Sequence, residues 1–268
     1  MPATTIDEVL SQLEKIINDS QRSGDRVGYF AALYYKVTSG VKTGIAKNEF
    51  EDGPRMARLD VIFANRYLDA LDQWKNGRPL SASWKVALDA TRQSSLLVLQ
   101  HLLLGMNAHI NLDLGIAAVE VMQGQPIEGI QKDFDAINTI IGSLTNEVIR
   151  EIDRVSPLLS LLGLHADRTD LLLIQFSIGN ARDGAWSFAQ DLSTTTGQAT
   201  VAGIATRDKS IAQLAGTISQ PHGVIRFTLW FIHLFEWKRP GKIIHALNSY
   251  TKTFITASPA KPAAAAHG

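Results

Sequence analysis

The 268-residue chain contains no cysteine. Disulfides, thiolate nucleophiles, Cys-ligated zinc and iron–sulfur clusters are therefore excluded. The absence suits a reducing compartment, and a cytoplasmic location is the expectation. Charge of one sign is missing too, because 26 Lys plus Arg face 26 Asp plus Glu. No net field draws the molecule to nucleic acid or to anionic lipid. Long apolar runs are also absent. Ser95–Gly105 is broken by Gln100 and His101, and Val224–Phe235 by Arg226 and His233. Both fall short of the roughly 20 residues that cross a membrane, and both read as buried helices. The opening residues Met1–Ile16 carry acids where a signal peptide has a basic region and an apolar core. A Gly-rich phosphate loop, His-Glu-x-x-His, Gly-x-Ser-x-Gly and Glu-x-x-His are all lacking. Acyl transfer through an activated serine thus has no motif, and a ferritin-like di-iron bundle is disfavoured.

What is present is helical periodicity. Ile6, Val9, Leu10, Leu13, Ile16 and Ile17 recur at the 3.6-residue period behind Thr4 or Thr5 as cap. Further helices are expected over about 25–46, 54–74, 81–123 (with Gly105 as a kink), 126–154, 167–191 behind Asp167, 204–219, 222–237 and 240–255. Ser156-Pro157 opens a short helix, and Ser193–Gly203 reads as a loop. No strand pair with a hairpin signal and no repeat of fixed period occurs. The expectation is an all-α single domain, residues 1–256, of eight to ten helices around buried central ones, followed by a disordered tail, 257–268.

One segment is unusual. Gln100–Asp113 sets His101, Asn107, His109, Asn111 and Asp113 among Leu, Met, Ile and Ala. His109 and Asp113 are one turn apart, about 40° on a helical projection. A histidine with a carboxylate one turn on forms an oriented base. The same pair can supply ligands to one divalent metal, with Glu120 about 20° from Asp113 as a third. A buried polar network that only fixes helix register is the structural alternative. On the third helix, Arg66 and Asp69 are spaced for an ion pair. If that stripe faces His109, it closes a polar pocket with Asp69 as an additional carboxylate. Gln175, Arg182 and Trp186 share one face of the 167–191 helix, which offers a cation–π pair or an anion-binding Arg.

Phe63–Leu71, Gln100–Gly115 and Asn180–Trp186 together resemble a family of bacterial and fungal helical proteins of unknown function, over roughly residues 25–240. The resemblance implies shared polar residues at Arg66, Asp69, Asn107, His109, Asp113, Arg182 and Trp186, and carries no activity with it. His109-Ile-Asn-Leu-Asp113 is also similar to a His-x-x-x-Asp of the zinc-dependent phospholipase C and single-strand nuclease fold. The chain lacks that fold's N-terminal Trp, its further histidines and its His-x-x-x-Glu.

The expected function is acid–base chemistry on a small, largely apolar organic molecule. His109, Asp113 and Asn107 are the catalytic candidates, and Arg66, Asp69, Arg182, Trp186 and His101 bind substrate. No cofactor is needed on this reading. The alternatives are a one-metal hydrolase using His109, Asp113 and Glu120, and a non-catalytic ligand-binding or scaffolding protein. The expected partner is a small molecule rather than nucleic acid, and nothing fixes the oligomeric state.

Overall fold

A computed structural model describes residues 1–161 and 178–249. Eleven α-helices and no strand occur among them. In chain order they are α1 (Ile6–Ser23), α2 (Val27–Ala46), α3 (Gly53–Lys75), α4 (Ala82–Ala90), α5 (Val98–Ala108), α6 (Gly115–Met122) and α7 (Gln131–Val155). They continue with α8 (Ile178–Ser193), α9 (Gln198–Ser219), α10 (Gly223–Phe235) and α11 (Pro240–Ser249). A π-helical segment, His109–Leu114, joins α5 to α6, and a 3₁₀ turn, Ile127–Ile130, leads into α7. The chain is an all-α bundle.

Local chemistry sets the ends of these helices. Thr5 caps α1 by accepting from the Glu8 amide at 3.2 Å, and Gly24 closes it at φ 74°. Asp52 caps α3 by accepting from the Arg55 amide at 2.8 Å, with Pro54 in the first turn. The start of α4 is capped from elsewhere in the chain. Asp208 of α9 accepts from the Ala82 amide at 2.6 Å and the Ser83 amide at 2.9 Å.

Three expectations change. The 81–123 stretch is not one kinked helix, since Thr91–Leu97 separates α4 from α5. Gly105 is not its kink. A Cβ there would lie 2.5 Å from the Phe30 ring, so this glycine admits a close helix crossing. The irregularity comes four residues later, as the π segment. The loop after α8 is also shorter than expected, because α9 starts at Gln198 behind Gly197. Asp167, Gln175 and the tail 257–268 lie outside the described residues.

The run Val98–Met122 is continuous enough, and apolar enough, to pass for a membrane span by length and composition, but 83% of its most apolar window is buried by other helices. It is the core of the bundle. α2 packs on α1, α3, α5 and α7, so its apolar pattern runs nearly all round. A cavity of about 260 Å³ remains among α2, α3, α5, the π segment and α7.

Candidate functional site

Asp113 organises the site. It is 1% exposed, and three donors from three elements converge on it. Arg66 Nε of α3 donates to Oδ1 at 2.8 Å. Trp84 Nε1 of α4 donates to Oδ2 at 2.7 Å. His109 Nδ1, within the π segment, meets Oδ2 at 3.1 Å. The expected reach between His109 and Asp113 is thus present, and Arg66 joins them. The π segment itself is held from α9, where Arg207 Nε donates to the Asn111 carbonyl at 3.0 Å.

His109 is 2% exposed and lines the cavity. Its ring stacks on Phe63 at 3.6 Å and meets the edge of Tyr34 at 4.6 Å. Burial holds its pKa below the ordinary 6.5, against the opposing pull of Asp113. The imidazole is therefore neutral at neutral pH. Its Nδ1 faces a carboxylate already bound by Arg66, so Nδ1 carries the proton. Nε2 is left with its lone pair and no hydrogen-bond partner.

The cavity wall is apolar, formed by residues such as Leu33, Val37, Leu59, Leu103 and Ile141. Its polar members besides His109 are Tyr34, Asp60 and Arg182. Asp60 is 5% exposed, its Oδ2 has no partner, and desolvation pushes its pKa up to about 7. The Tyr34 hydroxyl is raised by burial first and by Asp60 second, and it too lacks a partner that meets hydrogen-bond geometry. Tyr34, Asp60 and Trp84 were not among the sequence candidates. A lone acid inside Leu59-Asp60-Val61-Ile62-Phe63 was the available signal for Asp60.

The other candidates stand elsewhere. Asn107 is buried against α9, where Nδ2 donates to the Ile211 carbonyl at 3.0 Å and Oδ1 accepts from Asn111 at 3.0 Å. Two residues before His109, it points to the opposite side of the helix. His101 packs edge-on against Tyr29 at 5.6 Å, away from the cavity, and burial pushes its pKa down to about 3. Asp69 is exposed and closes nothing, since Arg66 reaches across to Asp113 instead. Arg182 is 3% exposed, yet it meets neither Asp69 nor Asp113. Its guanidinium donates to the Phe134 carbonyl and lies 4.5 Å over the Phe134 ring, with burial lowering its pKa to about 10. Trp186 packs on the same ring at 5.0 Å. The aromatic partner of Arg182 is therefore Phe134, from α7.

Glu120 is exposed. The projection that aligned it with Asp113 ignores about 10 Å of rise along the helix. Among the described residues no group of three His, Asp or Glu is placed to hold a metal. Asp113 also has both oxygens engaged by hydrogen-bond donors. The likeness to the zinc-dependent phospholipase C fold gains no support from this geometry.

A family model described as a family of unknown function, DUF5995, matches residues 6–221. The chain belongs to that family. The match begins earlier and ends sooner than the 25–240 expected from the three motifs, and it takes in every helix from α1 to α9. No curated protein and no solved structure matches the chain.

Proposed function

We propose that this DUF5995 chain takes a small apolar molecule into its cavity and acts on it by proton transfer, with His109 as base. The observation that carries the reading is the neutral, oriented His109. Its Nδ1–H is committed to Asp113, and its Nε2 is buried and unpartnered on an apolar cavity. A base needs a free lone pair, a fixed tautomer and exclusion of water, and all three coincide here.

Asp60 is the complementary acid. Its raised pKa keeps much of it protonated near neutrality, so it can donate a proton that His109 cannot. Tyr34 links the two, touching the His109 ring and feeling the Asp60 charge. Arg182 adds an unpaired Nε–H at the cavity wall for a carbonyl or carboxylate group. A volume of about 260 Å³ admits a ligand of roughly ten non-hydrogen atoms, scaled from an apolar cavity of about 150 Å³ that holds benzene.

The test begins with binding. Medium-chain alcohols, medium-chain fatty acids and monoterpenes are screened for a saturable rise in melting temperature. Val37→Phe, which fills the cavity, should abolish the rise. His109→Gln should keep binding but lose turnover, and wild-type turnover should fall below pH 6.5 as His109 charges and again above about pH 7 as Asp60 loses its proton. If no member of the panel stabilises the wild type, the reading is wrong. Turnover that survives in His109→Gln removes His109 as the base, and wild-type binding without turnover leaves a carrier rather than an enzyme.

A further inference from the structure

α10 carries a row of large apolar side chains that stand exposed among the described residues. Val224, Phe227, Trp230, Phe231, Leu234 and Phe235 are 57%, 64%, 54%, 36%, 52% and 54% exposed. On the helix they occupy an arc of about 140°. The opposite side is the anchoring one, where Leu229 and Ile232 are buried in the core. Phe227 packs on Trp230 at 5.6 Å and Phe231 on Phe235 at 5.3 Å, so the exposed rings form a continuous apolar strip. Elsewhere among the described residues, exposed large apolar side chains are scattered singly, at Met1, Ile149 and Val201. Single ones need no explanation, whereas a contiguous strip marks an interaction surface.

The exposed charge on α10 and on the residues that follow it has one sign. Arg226, Lys238, Arg239 and Lys242 are exposed. Between residues 222 and 249 the one acid is Glu236. It is 5% exposed, faces inward and accepts from the Val98 amide at 3.0 Å and the Ser156 hydroxyl. Directly after α10 an open groove is lined by Lys238, Arg239, Lys242, Arg22 and Arg154. Arg22 pairs with Asp19 at 2.5 Å and Arg154 with Glu151 at 3.8 Å, so Lys238, Arg239 and Lys242 carry the basic rim. The balance of 26 basic and 26 acidic residues over the whole chain therefore conceals a local basic rim.

We infer that this face lies on the surface of an anionic lipid bilayer. α10 rests in the interface plane with its aromatic strip at the headgroup–acyl boundary, and the basic groove meets lipid phosphates. Trp and Phe on one side of a helix, with Lys and Arg at its rim, are the composition of interfacial helices. At 13 residues α10 is too short to span, so it lies on the membrane. A two-fold pairing of copies through the same strip fits less well. It would bring two basic rims together with no exposed acid between residues 222 and 249 to answer them. The inference does not depend on the chemistry at His109.

The test is flotation of the full chain with vesicles of phosphatidylserine mixed with phosphatidylcholine, set against phosphatidylcholine alone. The wild type should float with the anionic vesicles and not with the neutral ones, and added salt should weaken it. Phe227→Ser/Trp230→Ser and Arg239→Glu/Lys242→Glu should each weaken binding at least about tenfold with unchanged melting temperature. If the serine pair lowers the melting temperature, the charge-reversed pair decides, since both of its sites are exposed. Failure of the wild type to float with anionic vesicles overturns the proposal, as does wild-type affinity in both variants. Light scattering that shows a dimer abolished by Phe227→Ser/Trp230→Ser, without vesicle binding, assigns the strip to self-association and overturns it equally.

Discussion

Replacing Asp60 with Asn should change how stability depends on pH far more than it changes the fold. Asp60 is buried on an apolar cavity with one oxygen unpartnered, and desolvation lifts its pKa from 3.8 to about 7. The folded protein therefore binds a proton that the unfolded chain releases between those values. A raised carboxyl pKa means that the contribution to stability is full below 3.8 and is lost as pH rises through about 7. The gap of about 3 in pKa corresponds to about 4 kcal/mol at 1.36 kcal/mol each. Water drawn in by the ionised carboxylate recovers part of this, so about 4 kcal/mol is a ceiling. Asn has nearly the same shape and does not titrate. Urea unfolding of both proteins from about pH 4 to about pH 8 isolates the effect as a difference. The variant should gain on the wild type steadily across that range, by about 2–4 kcal/mol in all. A stability difference that stays flat with pH would refute the assignment of Asp60 as a buried, mostly neutral acid.

Asp113→Asn should lose about 3–5 kcal/mol in the same urea assay, because it leaves Arg66 uncompensated in a part-buried site. Adding Arg66→Met should restore part of that loss, and a single-variant loss under about 1 kcal/mol would deny the network its structural role. Gly105→Ala should cost about 1–3 kcal/mol, since its Cβ would meet the Phe30 ring at 2.5 Å. It should also shrink the cavity that Phe30 lines, read as weaker ligand-induced stabilisation. Imidazole NMR should find His109 neutral and protonated on Nδ1 at neutral pH, charging only below pH 6.5. An Nε2-protonated ring would contradict its role as base.

The pairing of His109 with Asp113 was legible because it depends only on four-residue spacing, which survives the change from α to π geometry. The grouping of Asn107 with them ignored that residues two apart face opposite ways. Glu120 was misplaced by treating angle without axial rise. Arg66 was expected to pair with Asp69 on its own helix, and it pairs with Asp113 instead. An intrahelical Asp69 competes with a buried Asp113 across the bundle, and the buried carboxylate has the greater need of a cation. Trp84, Tyr34 and Asp60 come from helices that only tertiary packing brings to His109. Helix count was likewise underestimated where local sequence is ambiguous, as at Thr91–Leu97, which has no proline or glycine to mark a break.

The deeper contrast lies between two carboxylates that composition treats alike. Asp113 has three donors aimed at it, from Arg66, Trp84 and His109. Asp60 has an oxygen with none. A fold that fully satisfies one buried acid and leaves another bare on a cavity wall carries a penalty that packing alone would remove, because an apolar residue of similar size at position 60 would be more stable. Four buried polar atoms without partners stand around one small cavity, Asp60 Oδ2, the Tyr34 hydroxyl, His109 Nε2 and Arg182 Nε, while others, such as both His101 nitrogens and the Tyr67 hydroxyl, lie away from it. A network whose purpose is helix register satisfies its members, as Asn107, Asn111 and Ile211 do on the other side of the same helix. Four buried polar atoms left open around one apolar volume are instead the complement of a ligand with polar groups of its own.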